Sequence, residues 1–135
     1  MKKITIPASS DQLDHVLDFV NQGLNELDCP KKTQLQIDIA VEEIFVNIAH
    51  YSYETMQGDT TISIEPLSDH SGLLLTFEDS GKPYNPLEQS DPDITLSASE
   101  REIGGLGIFM VKKTMDNLSY LYENGNNILT IKKSW

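Results

Sequence analysis

Glu43 and Asn47 stand four residues apart, in Glu-Ile-Phe-Val-Asn, within an apolar stretch that reads as a helix. Positions i and i+4 share a helical face, so the carboxylate and the amide oxygen project side by side. A carboxylate in such surroundings needs a cation or a hydrogen-bonding partner to remain charged, and a hard divalent ion suits oxygen ligands of this kind. A second segment, Asp79-Ser80-Gly81, follows a run in which Leu73, Leu75 and Phe77 share one face. Asp79 has the same parity, which predicts a carboxylate turned toward the covered side at a strand end, a good acceptor for an exocyclic amine. Gly81 lets a ligand approach the backbone closely. The third segment, Gly104-Gly105-Leu106-Gly107-Ile108, leads into a helix whose unpaired N–H groups and positive dipole end favour phosphate. A cation site, an amine acceptor and a phosphate cradle together describe a nucleotide. Taken singly, each motif also fits a plain turn, a chance helical pair or tight helix packing. Their order and separation along one short chain favour the nucleotide.

The elements that must position these residues follow from hydrophobic periodicity. Lys3 to Ile6 reads as a strand closed by Pro7, and Ser9, Ser10 and Asp11 offer capping oxygens to a helix reaching about Leu27. Its packing residues are Leu13, Val16, Leu17, Val20, Leu24 and Leu27. Asp28-Cys29-Pro30 breaks the pattern. A second helix then runs from about Lys31 to Tyr51 on Leu35, Ile37, Val41, Ile44, Phe45 and Ile48, antiparallel to the first. From Thr60 the period becomes two: Thr61 to Ile64 and Leu73 to Glu78 form a hairpin around Ser68 to Gly72. Residues 80 to 103 are rich in Pro, Ser and Asp and too long for a plain connection, which predicts a lid or binding loop. Gly104 to Lys113 then reads as a loop feeding a third helix. Leu118 to Tyr122 and Ile128 to Lys132 form a second hairpin through Asn124-Gly125. Strands of this kind with helices on one face give an α+β two-layer sandwich.

The whole-chain properties exclude several classes of function. At 135 residues the sequence makes one domain, over 1–135, with a single core. A net charge of −11 repels nucleic acid and anionic membrane surfaces, so neither is an expected partner. Cys29 is the sole cysteine and has no internal disulfide partner, no apolar leader precedes Pro7, and no run approaches the ~20 apolar residues of a membrane span. A reducing cytoplasm fits this combination.

Three motifs bring the sequence close to a known group. Glu43-Ile44-Phe45-Val46-Asn47-Ile48-Ala49-His50-Tyr51 resembles the asparagine box of the GHKL ATPase superfamily. Asp79-Ser80-Gly81-Lys82-Pro83-Tyr84-Asn85-Pro86 resembles its first glycine box, and Gly105-Leu106-Gly107-Ile108-Phe109-Met110-Val111 its second. Within that superfamily the chain is most similar to the small anti-sigma-factor serine/threonine kinases. The likeness spans nearly the whole chain and includes no phosphoacceptor helices. It implies the Bergerat ATP-binding fold, with a mixed, mainly antiparallel sheet, and ATP and Mg²⁺ as ligands. Carried over residue by residue, Glu43 would be the general base and Asn47 would bind Mg²⁺. Asp79 would take the adenine amine above Gly81, and the backbone around Gly104, Gly105, Leu106 and Gly107 would hold phosphate. The acceptor would be a serine of an anti-sigma-antagonist (STAS-like) protein, and the same chain would sequester a sigma factor. Related proteins often form dimers, which leaves a homodimer open beside a monomer.

The sequence also departs from that pattern. Pro83 stands where relatives often carry a second glycine, which stiffens the loop and removes an N–H. Asn126-Asn127 replaces the Gly-Thr of the final hairpin, so an amide takes the place of a hydroxyl that helps to organise the adenine-side water. Arg101, the sole arginine, falls in the predicted lid, where it could stabilise γ-phosphate charge or simply be solvated. These departures define an alternative: a catalytically weak module that binds ATP or ADP to fix its shape while gripping a protein partner.

Overall fold

The computed structural model describes residues 1–53, 58–88 and 105–135. Five strands form one sheet: β1 (Lys2–Pro7), β2 (Asp59–Pro66), β3 (Gly72–Asp79), β4 (Asn117–Glu123) and β5 (Asn126–Ser134). Their spatial order is β1-β2-β3-β5-β4, and all four pairings are antiparallel, which sharpens the expected mixed, mainly antiparallel sheet. The helices are α1 (Leu13–Glu26), α2 (Lys31–Asn47) and α3 (Gly105–Thr114). They cover the face onto which β2 and β3 turn Ile62, Ile64, Leu75 and Phe77, all buried. The α+β two-layer architecture is therefore the observed one.

Local chemistry accounts for the boundaries. Pro30 is extended at the N-cap of α2, where its missing N–H leaves nothing unpaired, and Asp28 just before it takes a positive φ of 55°. The β4–β5 turn places Asn124 and Gly125 at φ 55° and 82°, the conformations that a two-residue type I′ hairpin demands of both central residues. In the β2–β3 turn His70 has φ 59°, and Asp69 Oδ1 accepts from both the backbone and the hydroxyl of Ser71, which closes the loop.

α2 is the centre of the core. Ile37, Ala40, Val41, Ile44 and Phe45 are buried along one side, and Ile108 and Val111 of α3 complete the packing. Phe45 and Phe77 are among the largest fully buried side chains, and truncating either to alanine should cost about 3–5 kcal/mol. One expected core residue is corrected here. Leu35 is 62% exposed, and Ile39 one turn later is 51% exposed, because both lie opposite the Ile37–Ile44 stripe on a 3.6-residue helix. The second expected helix also ends differently: regular α geometry stops at Asn47, and Ile48–Ser52 form a single π-helical turn. Such widened turns are frequent at functional sites, and this one joins the two halves of the site described next.

Candidate functional site

The end of α2 is where the sequence-predicted motifs meet. Glu43 and Asn47 are both half-buried on α2, and Asn47 Nδ2 donates to Glu43 Oε1 over 3.1 Å. The amide orientation follows from chemistry, since an ionised carboxylate can only accept. Asn47 Oδ1 is thereby turned away from Glu43, an acceptor suited to a cation. Among the described residues no group of three or more His, Cys, Asp or Glu side chains is placed to hold a metal alone. A single amide oxygen fits Mg²⁺, which keeps several waters and takes phosphate oxygens for the rest of its shell.

Gly107, in the first turn of α3, lies directly against Glu43. A Cβ at position 107 would collide with the Glu43 carboxylate carbon and both of its oxygens. Only glycine lets this helix start approach the carboxylate so closely. Gly105 and Leu106 supply the backbone of the same first turn, whose N–H groups lack intrahelical partners by helix geometry. The expected phosphate-binding helix end and the expected base are thus in contact. Gly104 and Arg101 lie outside the described residues.

The other end of the π turn holds the second site. The Ser52 carbonyl accepts from Lys82 N–H at 3.0 Å, and a Cβ at Gly81 would strike that carbonyl, so the loop after β3 is laid tightly on the turn. Asp79 is 4% exposed, as its strand parity predicts. Its Oδ1 accepts from Gly81 N–H at 2.9 Å and from Asn127 Nδ2 at 3.0 Å. Burial raises the Asp79 carboxyl above its ordinary value of 3.8, against the opposing effect of Asn127, Gly81 and Ser52. Among the described residues, Ser52 Oγ is buried beside this carboxylate without a well-formed hydrogen bond, and so is the hydroxyl of Thr60, the β2 residue paired with Asp79.

Aromatic residues brace the loop from both sides. Tyr53 Oη donates to the Asp59 carbonyl and accepts from Ser80 N–H at 2.9 Å, pinning the residue after Asp79 to the start of β2. The Tyr84 ring stacks at a tilt on Tyr51, with centroids 5.2 Å apart, and Pro86 is buried beneath the loop. Tyr51 itself is 44% exposed. A cleft of about 600 Å³ between Pro7–Gln12 and Gly58–Asp59 touches none of the predicted site residues.

Two members of this assembly were not legible in the sequence. Asn127 was read only as a replaced hydroxyl, yet it is 4% exposed and bonds to four different residues. The register β3–β5, which sets Asp79 opposite Asn127, is the signal that would have found it. Ser52 was hidden because its role depends on the π turn.

Fold and site together define a histidine kinase-like ATPase domain, and the sequence pattern of that family matches residues 6–133; the chain belongs to it. Over 100 residues it is 26% identical to the serine-protein kinase RsbW of Listeria monocytogenes, a match covering 71% of this chain and 63% of that kinase. Among solved structures it is similar to the histidine kinase domain of a blue-light activated histidine kinase from Erythrobacter litoralis. There the TM-score is 0.61 at 17% identity, over 96% of this chain and 61% of the other. A second structure of that kinase gives 0.59 at 18% identity, over 90% of this chain and 41% of its own length. The chain therefore spans less than two thirds of each of these relatives, and the structural likeness is one of fold.

Proposed function

We propose that residues 1–135 form one ATP-binding domain of the anti-sigma-factor kinase type, transferring the ATP γ-phosphoryl group to a serine of a partner protein. The observation that carries the proposal is the contact of Gly107 with Glu43, which sets a helix start suited to phosphate against a carboxylate bonded to Asn47. In this reading Asp79 accepts the adenine amine, and the backbone at Gly81 lies under the base. The first turn of α3, from Gly105 through Leu106 to Gly107, faces the phosphates. Gly104 and Arg101 extend that role to the preceding segment. Asn47 Oδ1 would hold Mg²⁺, which when bound neutralises charge on the phosphate oxygens. Glu43 is placed to accept the proton of the attacking serine hydroxyl, and phosphoryl transfer otherwise asks mainly for positioning.

The likeness to the serine-protein kinase supports a protein acceptor, and the earlier resemblance supports an anti-sigma antagonist as that acceptor and a sigma factor as the sequestered partner. No described helix is long and apolar enough to cross a membrane, and the acidic charge fits a cytoplasmic setting. Pro83 supports a second reading, the nucleotide-dependent binding module, because it removes a backbone donor from an exposed stretch of the loop. One experiment separates the two. The protein is incubated with labelled ATP, Mg²⁺ and a candidate antagonist domain, beside Glu43→Gln. Incorporation in the parent that is lost in the variant supports the kinase. Nucleotide binding without incorporation in either supports the module.

A further inference from the structure

The amide of Asn127 has two N–H donors and two acceptor lone pairs. All four are engaged within the protein. Nδ2 donates to Asp79 Oδ1 at 3.0 Å and to the Lys82 carbonyl at 2.8 Å. Oδ1 accepts from Tyr84 N–H at 2.9 Å and from the Tyr120 hydroxyl. The orientation is forced, because a flipped amide would set its oxygen against a carboxylate and a carbonyl and its NH₂ against a backbone N–H. Burial pushes the Tyr120 phenol up, so it stays protonated and able to donate.

In the family pattern a hydroxyl at position 127 helps to organise the adenine-side water; the amide that replaces it here has no free valence left for that task. We propose instead that Asn127 is a positioning residue for purine recognition: it fixes Asp79 Oδ1 and the Lys82–Tyr84 loop, with Tyr120 as its latch from β4. This rests on the adenine reading of Asp79 given above. With Oδ1 held by Gly81 and Asn127, Oδ2 is the oxygen left to meet an exocyclic amine. The geometry of Asp79 is thereby linked to β4, an edge strand that carries none of the three motifs.

The test is calorimetric titration of the protein with Mg-ATP and with the Mg complex of purine ribonucleoside triphosphate, which lacks the 6-amine. The parent should prefer ATP. Asn127→Asp keeps the size and both acceptor contacts but turns an acceptor toward Asp79, and should reduce the ATP preference roughly tenfold. Tyr120→Phe removes only the latch and should reduce it about two- to fivefold, with thermal unfolding confirming that both variants fold. A merely structural role would weaken both nucleotides equally. A parental preference that survives intact in both variants overturns the proposal and leaves the adenine reading standing. A parent that binds both nucleotides alike, or neither, overturns the adenine reading and the proposal with it.

Discussion

Gly107→Ala separates two consequences that are usually entangled. The added methyl would occupy the space of the Glu43 carboxylate, with Oε1 at 2.5 Å from the new carbon and the other carboxylate atoms nearer still. What must yield is the far end of a flexible side chain, not backbone, so the cost is a rotation of Glu43 together with its 3.1 Å bond from Asn47. Losing one such bond at a half-buried position costs about 0.5–1.5 kcal/mol. Replacing glycine by alanine within a helix returns roughly 0.5–1 kcal/mol. The two nearly cancel, and the melting temperature should move by no more than about 4 °C for a domain of this size. If Glu43 is the base proposed above, the chemistry has no such compensation, because displacing a positioned base by about 1 Å can reduce turnover on the order of a hundredfold. The assay pairs a thermal melt with turnover of labelled Mg-ATP. A variant that melts far below the parent would show that Glu43 cannot move aside. Parental turnover would show that position 107 does not govern the carboxylate. Either result refutes this reasoning.

Gly81→Ala meets the Ser52 backbone instead, which cannot rotate away, so it should destabilise by about 1–3 kcal/mol and lower the denaturant midpoint. Asp79→Asn can keep both of its accepted hydrogen bonds while relieving a buried charge. Because burial raises the folded-state pKa above 3.8, the folded protein binds that proton more tightly than the unfolded chain, so ionisation costs stability at neutral pH and the cost disappears as pH falls through the raised value. The variant should therefore be at least as stable as the parent at pH 7 in a urea titration, yet discriminate less between ATP and GTP. Asn47→Ala should remove the Mg²⁺ dependence of ATP binding, and calorimetry with and without the metal would reveal an assignment in error if affinity and metal response were unchanged.

Much of this was open to a reading of the sequence, for identifiable reasons. The alternation through Leu73, Leu75 and Phe77 was regular enough to predict a buried Asp79, since strand parity depends on nothing beyond the strand itself. The Glu43–Asn47 pair was equally accessible, because i,i+4 geometry is local. Leu35 misled because it is apolar and close to the right period, while its burial is decided by which side of α2 meets the sheet. The π turn was invisible for a related reason: its last residue, Ser52, meets the loop after β3 through its backbone carbonyl, a contact with no side-chain signal in Ile48–Ser52. Asn127 lay furthest from view, since its four partners come from β3, β4 and the loop after β3 and meet only through the sheet register.

The central claim is that one site at the end of α2 holds a purine triphosphate. Backbone amide chemical-shift mapping on the isotope-labelled protein during titration with Mg-ATP tests it most directly. The largest changes should fall at Asn47, Asp79, Gly81 and Gly105 to Gly107, and should saturate together with one affinity. Saturable changes confined to the exposed face of the sheet, or no changes at millimolar ATP, would contradict it.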